Sequence, residues 1–137
     1  MMDYRALFNA SLARVTDATR EAAFFDDFYR RFVAADPAIE AKFRDTDFAK
    51  QKQMLRESFQ EMNHFCGSLQ SNTYIITLAR IHGSRGRDIP VHMFDIWLEC
   101  LVATVKELDP EYTDSVELAW RIIMTPGIQF MKFYRDR

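Results

Sequence analysis

The stretch that decides the fold is FFDDFYRRFVAADPAIEAKF, residues 24–43. Its phenylalanines recur three and four residues apart, which is the period of one face of an α-helix. Asp36-Pro37 then supplies a capping side chain followed by proline at the first helical position, a common way for a new helix to begin. The stretch therefore predicts a long helix, a sharp break and a short helix that ends near Phe43.

The helical period returns along the rest of the chain. It predicts further helices over residues 3–15, 48–66, 72–82 and 90–108, and from about 114 towards the C-terminus. Gly67-Ser68 is expected to end the second of these. Pro126-Gly127 is expected to kink or interrupt the last, because proline lacks the N–H that a helix interior needs. No strand pattern competes, so the fold class is all-α, with about seven helices, one very short, in a single domain over residues 1–137.

Composition excludes several classes of protein. Hydrophobic residues make up 48% of the 137, too many for a disordered chain, and four glycines and four prolines are too few for a turn-rich β-sandwich. Net charge is −2 without a basic patch, so nucleic acid is not an expected partner. No apolar run reaches the roughly 20 residues of a membrane span, and no signal peptide is evident. Cys66 and Cys100 lie in apolar helical patterns as reduced thiols, which predicts a cytoplasmic protein.

Function is sought where a polar residue interrupts an apolar stripe. His82 lies four residues after Leu78 and seven after Ile75, at the inward end of such a stripe. It is either a hydrogen-bonded core histidine or an imidazole presented to a haem iron, and the 12 phenylalanines favour an apolar pocket. His64 and His92 lack the spacing of a metal site, so we interpret them as surface or helix-end residues.

Two more polar residues stand in apolar surroundings. Gln51 falls in the stripe of Phe48 and Leu55 and is either an edge-of-face side chain or a buried amide that donates to a ligand. Tyr29 follows Phe28 on a phenylalanine-rich helix, and its hydroxyl either finds a carbonyl or points into a pocket. No serine or cysteine stands in a nucleophile motif, and the glycines of residues 83–86 follow a helix, unlike a phosphate-binding loop.

The stretch Phe28-Tyr29-Arg30-Arg31-Phe32, through Asp36-Pro37 to Phe43, resembles the second and third helices of the globins. The likeness is to the bacterial single-domain globins and the haem domain of flavohaemoglobins in particular. Tyr29 and Phe43 match a distal-pocket tyrosine and a phenylalanine that packs on the haem. Asp47 to Leu55 is similar to the start of the distal helix, with Gln51 in the distal position usually held by His or Gln.

The second half of the chain carries the same resemblance. Leu78-Ala79-Arg80-Ile81-His82, followed by Ile89-Pro90-Val91, resembles the globin proximal helix and the entry to the next helix. His82 takes the iron-ligating position, and Trp120 fits a common aromatic of the last helix. The resemblance runs from about residue 3 to 135 and implies the 3-over-3 helical sandwich of the globin fold.

That resemblance implies a bound haem b, iron protoporphyrin IX. His82 would be its metal ligand, with the other ring nitrogen on a backbone carbonyl such as that of Leu78. Tyr29 and Gln51 would donate hydrogen bonds to a bound gas. The remaining cofactor contacts would come from Phe43, Leu55, Leu78, Ile89 and Phe94, with Arg85 and Arg87 near the propionates.

One departure from the flavohaemoglobins bears on activity. They place a tyrosine and a glutamate behind the proximal histidine, whereas this chain has Met93 or Phe94 at the tyrosine position and no matching glutamate. We therefore expect a protein that binds dioxygen, carbon monoxide or nitric oxide reversibly, as a monomer or homodimer. Nitric oxide dioxygenation with an external reductase is a further activity that the family implies. The alternatives are a gas sensor that signals through a partner protein and a haem-free interaction module of globin fold.

Overall fold

The computed structural model describes residues 2–137, and within that range it is built from seven helices joined by short loops. The helices are α1 (Tyr4–Val15), α2 (Glu21–Ala35), α3 (Pro37–Lys42), α4 (Phe48–Ser68), α5 (Thr73–His82), α6 (Val91–Leu108) and α7 (Asp114–Tyr134). No residue of this range lies in a β-strand, so the all-α prediction is confirmed, including the very short α3.

Short polar side chains begin five of the helices. Each accepts a hydrogen bond from a backbone N–H of the first turn, which would otherwise lack a partner. These N-cap residues are Asp3, Asp36, Asp47, Asn72 and Thr113. The starts of α3 and α4 therefore lie where the capping residues of the sequence predict them.

The helices form two layers, with α1, α4 and α5 over α2, α6 and α7. The last helix contacts four others, α1, α4, α5 and α6, while α3 packs on α2. At the centre Trp120 is fully buried, and its ring meets Phe8 and Phe59 edge to face at centroid distances of 4.7 and 5.7 Å. This arrangement is the predicted 3-over-3 sandwich.

Two local expectations differ from the structure. Helix α4 continues through Gly67-Ser68, and Leu69 ends it in the left-handed conformation with φ 53°. Helix α7 continues through Pro126, so the proline does not interrupt it, while the alternative expectation of a kink at this position stays a prediction. The missing N–H of Pro126 would leave the carbonyl of Ile122 without its helical partner, and the thiol of Cys66 lies 3.9 Å from that oxygen as a weak donor. Packing against α4 thus offers that carbonyl a weak donor in place of the missing N–H.

As to the bilayer, none of the helices in residues 2–137 combines the length and apolar character needed to span one.

Candidate functional site

A cavity of about 370 Å³ opens between α2, α3, α4, α5 and the first turns of α6. Most of its walls are aliphatic, aromatic or methionine side chains, the composition expected of a site for a large apolar ligand. The lining residues are Tyr29, Phe32, Ile39, Ala41, Lys42, Phe43, Gln51, Met54, Leu55, Ser58, Met62, Leu78, Ile81, His82, Arg87, Ile89, Met93, Phe94, Trp97 and Met131.

His82, the last residue of α5, presents its imidazole to this cavity. Its Nδ1 lies 2.7 Å from the carbonyl oxygen of Leu78, one turn earlier, so the proton sits on Nδ1 and donates to that oxygen. Nε2 makes no hydrogen bond to any described residue. Burial lowers the pKa of His82, an effect that the Leu78 carbonyl opposes and the Arg87 charge reinforces. The ring is therefore neutral near pH 7, with the Nε2 lone pair available to a ligand.

The loop after His82 is folded tightly by its own backbone. The N–H of Ile89 donates to the His82 carbonyl at 2.9 Å, and the N–H of Arg87 donates to the Ile81 carbonyl at 2.8 Å. From the other side of the cavity mouth, Lys42 of α3 donates to the Arg87 carbonyl at 2.8 Å. Lys42 and Arg87 both line the cavity, so two cationic side chains stand beside a largely apolar volume.

On the opposite wall, Tyr29 of α2 is 5% exposed and turns its hydroxyl towards the start of α4. The hydroxyl donates to the backbone carbonyl of Gln51 at 3.2 Å, a long bond for an O–H donor. Burial raises the pKa of Tyr29 well above its ordinary value, and the contact with Gln51 offsets only part of that rise. The phenol is thus a neutral hydrogen-bond donor at physiological pH.

Aromatic side chains close the rim next to Tyr29. Phe43 stacks on Phe48 with ring centroids 6.0 Å apart and planes at 19°, and it meets Tyr29 and Phe32 edge to face at 5.9 and 5.7 Å. Aromatic pairs in these geometries hold one another in place. Phe43 is therefore a fixed, flat wall of the cavity.

Ten residues were expected at the cofactor and gas site, and the structure brings together all but one of them. Those that line the cavity are Tyr29, Phe43, Gln51, Leu55, Leu78, His82, Arg87, Ile89 and Phe94. Arg85 is exposed and is not part of the lining. His64 and His92 are exposed, and no group of three or more metal-binding side chains occurs within residues 2–137.

Several residues of the cavity wall carry no signal in the sequence. Lys42 gave no signal, since a lysine at the end of an exposed short helix is normally solvated. Trp97, Met62 and Met131 follow the helical period of the core and cannot be told from ordinary packing residues by that period. A large side chain lines a cavity only because its neighbours on other helices leave a gap.

Known proteins resemble this chain in both sequence and fold. A family model described as Globin matches residues 26–129. The chain is also similar to a Pseudomonas aeruginosa PAO1 protein whose crystal structure is described as structurally highly homologous to a human hemoglobin, with 32% sequence identity and a TM-score of 0.91. That match covers 98% of this chain and 100% of the other. No curated protein matches the sequence significantly.

Proposed function

The chain belongs to the globin family, and on that premise we propose that it binds haem b in the cavity of His82 and reversibly binds a diatomic gas there. The observation that carries the proposal is the state of the His82 ring. Its Nδ1 proton is engaged by the Leu78 carbonyl, and its Nε2 faces a largely apolar cavity with no protein partner. A neutral imidazole oriented in this way is the usual axial ligand of a haem iron.

The other walls fit the same group. On the side of Tyr29, Phe43 offers a flat ring and Leu55 a branched apolar side chain. On the side of His82, Phe94 and Ile89 offer the same two kinds of surface. The ring of Phe94 lies 6.1 Å from that of His82. Such walls would hold a planar macrocycle and keep water from it.

Lys42 and Arg87 are suited to pair with the carboxylates of the cofactor. They are the lysine and arginine of the cavity lining, and both side chains are exposed enough to remain solvated while they reach an anionic group at the mouth. Ion pairs of this exposed kind contribute little energy each. Their role would be to set the orientation of the cofactor in the cavity.

The bound haem would supply an iron with one coordination position left for a gas. The hydroxyl of Tyr29 can turn from the Gln51 carbonyl to a gas molecule that carries partial negative charge. Hydrogen bonds to charged groups contribute about 1–3 kcal/mol, so this donor favours dioxygen over the less polarised carbon monoxide. The side chain of Gln51, also in the lining, is the second donor available on that wall.

The surroundings of His82 favour reversible binding over oxidative catalysis. The hydrogen-bond acceptor behind the ring is the neutral Leu78 carbonyl, and the charge that acts on the ring is the cation of Arg87. A carboxylate in that place would increase the basicity of the imidazole, which a carbonyl does less strongly. We therefore propose gas binding as the principal activity and nitric oxide dioxygenation as a minor one that needs an external reductase.

Titration of the purified full chain with haemin tests the proposal. We expect a sharp Soret band at one haem per chain, its loss in His82→Ala, and its partial return when imidazole is added to that variant. His92→Ala replaces an exposed histidine outside the cavity and should bind haem like the unsubstituted chain. A chain that takes up no haem, or a His82→Ala variant with unchanged affinity and spectrum, would contradict the proposal.

A further inference from the structure

The C-terminal end of α7 holds the loop that follows His82 through one residue, Arg135. Its guanidinium donates to the backbone carbonyl of Ile89 and forms an ion pair with Asp88, with Nη2 2.6 Å from Oδ1. The two contacts use different nitrogens of one planar group, so the fork of Arg135 fixes two successive residues of the loop.

The backbone of the same residue makes a second set of contacts. The carbonyl of Arg135 accepts hydrogen bonds from the N–H of Ser84 at 2.9 Å and from the Ser84 hydroxyl at 3.1 Å. Next to it, Gly83 approaches so closely that a Cβ at this position would lie 2.9 Å from the Arg135 carbonyl oxygen. A hydrogen atom is therefore the only side chain that fits at residue 83 without a shift of the backbone.

Two of the residues that contact Arg135, Gly83 and Ile89, are themselves joined to His82, the proposed iron ligand. Gly83 follows His82 in the chain, and the N–H of Ile89 donates to the His82 carbonyl at 2.9 Å. Ile89 is thus bonded through its N–H to His82 and through its carbonyl to Arg135, and its side chain is part of the cavity wall. Asp88, the ion-pair partner, adopts φ 54°, an unfavourable conformation that neighbouring contacts must hold.

We propose that Arg135 is a positioning residue of the proximal side, which fixes the loop of residues 83–89 and thereby the direction in which His82 presents Nε2. The inference rests on the proposed haem site, but the effect on the loop is a property of the chain itself. Without the guanidinium, the carbonyl of Ile89 and the carboxylate of Asp88 lose their partner from α7. The loop then opens more often, and the His82 ring is held less firmly.

Two readouts separate the loop from the cofactor. Hydrogen exchange of the haem-free full chain reports the loop, and we expect Arg135→Ala to speed exchange of the Ser84, Asp88 and Ile89 amides by at least about tenfold. Resonance Raman spectroscopy of the ferrous haem complex reports the ligand, and we expect the iron–histidine stretching band to shift or broaden. Arg135→Lys keeps the charge but not the planar fork of the guanidinium. Both readouts should therefore change less in this variant than in Arg135→Ala.

Arg137→Ala is the matched control, since Arg137 lies two residues away, is exposed, and donates to Phe133 of its own helix end. It should leave both readouts unchanged. Gly83→Ala approaches the same contact from the loop side and should reproduce the effects of Arg135→Ala. Unchanged exchange and an unchanged band in Arg135→Ala, or equal effects in Arg137→Ala, would overturn the inference. Failure of the chain to bind haem would overturn the proposed function but leave the exchange result to decide the role of Arg135.

Discussion

Two sets of polar side chains, one beyond the C-terminal end of helix α6 and one in the cavity that its first turns help to line, are used differently. The first set lies around Asp109. Beyond the C-terminal end of α6, Asp109 accepts hydrogen bonds from Ser11 at 2.6 Å and from Arg14 at 2.6 and 2.9 Å. Trp120 donates to the Ser11 hydroxyl at 2.9 Å. Every polar side chain of this cluster has side-chain partners, and together they join α1, α7 and the loop that Asp109 begins.

In the cavity that the first turns of α6 help to line, the polar groups face open volume. Tyr29 and His82 each hydrogen-bond to one backbone carbonyl, and each keeps a face towards open volume. The same kinds of polar group thus serve two purposes in this protein. Fully partnered, they hold helices together; with one side left open, they are available to a ligand. Substitutions in the two sets should therefore have separable effects on stability and on ligand binding.

The largest expected effect is on stability, in Asp109→Ala. The carboxylate is fully buried, and its loss would leave the Ser11 hydroxyl without its acceptor and Arg14 with only the longer contact to Glu111 at 3.6 Å. Removing one partner of a buried ion pair costs about 3–5 kcal/mol, and we expect a loss at the lower end of that range in urea unfolding, because Arg14 is partly exposed to solvent. The haem spectrum should change little. Asp95→Ala, which removes an exposed pair with Lys132, should cost less than about 1 kcal/mol. Equal losses in the two variants would contradict the special role of Asp109.

In the cavity, Tyr29→Phe should change the rate of dioxygen release and leave the free energy of unfolding nearly unchanged. Loss of a hydrogen bond worth about 1–3 kcal/mol to the bound gas should raise the dioxygen dissociation rate by roughly 5- to 150-fold. Stopped-flow displacement of dioxygen by carbon monoxide measures this rate. Tyr4→Phe alters a tyrosine of α1 outside the cavity and is the control. A rate unchanged in Tyr29→Phe would remove the hydroxyl from the proposed function.

Acid should weaken the polar cluster beyond the C-terminal end of α6. Burial alone would raise the pKa of Asp109, but hydrogen bonds from Arg14, Ser11 and the Glu111 N–H outweigh it and hold the pKa below its usual value. The cluster therefore contributes its full stability above the unfolded-state pKa of about 3.9, and loses it as pH falls from there towards the folded-state pKa. Urea midpoints between pH 7 and pH 3 should fall less steeply in Asp109→Asn than in the unsubstituted chain. Parallel profiles would show that Asp109 is not the group responsible.

The smallest effect concerns two arginines of the loop after His82. Arg87 lines the cavity and Arg85 does not, although the sequence suggested both as partners of the propionates. We expect Arg87→Ala to speed haem loss to an acceptor protein by no more than several-fold, since an exposed ion pair contributes about 1 kcal/mol or less. Arg85→Ala should leave the rate unchanged. If Arg85→Ala speeds haem loss more than Arg87→Ala does, the propionates lie beside Arg85 and the proposed pairing with Arg87 is wrong.

Much of the fold could be predicted from local sequence. Capping residues such as Asp36 and Asp47 mark helix starts because they act on the N–H groups of the next turn, which the sequence itself places beside them. His82 and Gln51 could be singled out because a polar residue in an apolar stripe needs an explanation. These signals depend on residues within a turn or two of one another.

What could not be predicted depends on contacts between distant segments. The bond between Trp120 and Ser11 joins residues 109 positions apart, and nothing near either residue announces it. Likewise, Pro126 lies inside a continuous helix, and the Ile122 carbonyl that has lost its helical donor lies beside Cys66 of α4, 56 positions earlier in the chain. The role of Arg135 is hidden for the same reason, since its partners Asp88 and Ile89 lie more than 40 residues earlier.

The packing of α1 against α7 also has a consequence for folding during synthesis. Helix α1 leaves the ribosome first, yet the helix that covers it is the last of the seven. At roughly 5–20 residues per second, synthesis of the intervening chain takes several seconds or more, during which Phe8 and its neighbours on α1 lack their final partner. The nascent chain thus exposes this apolar face until α7 has been made, and chaperones that bind such faces have that interval in which to act.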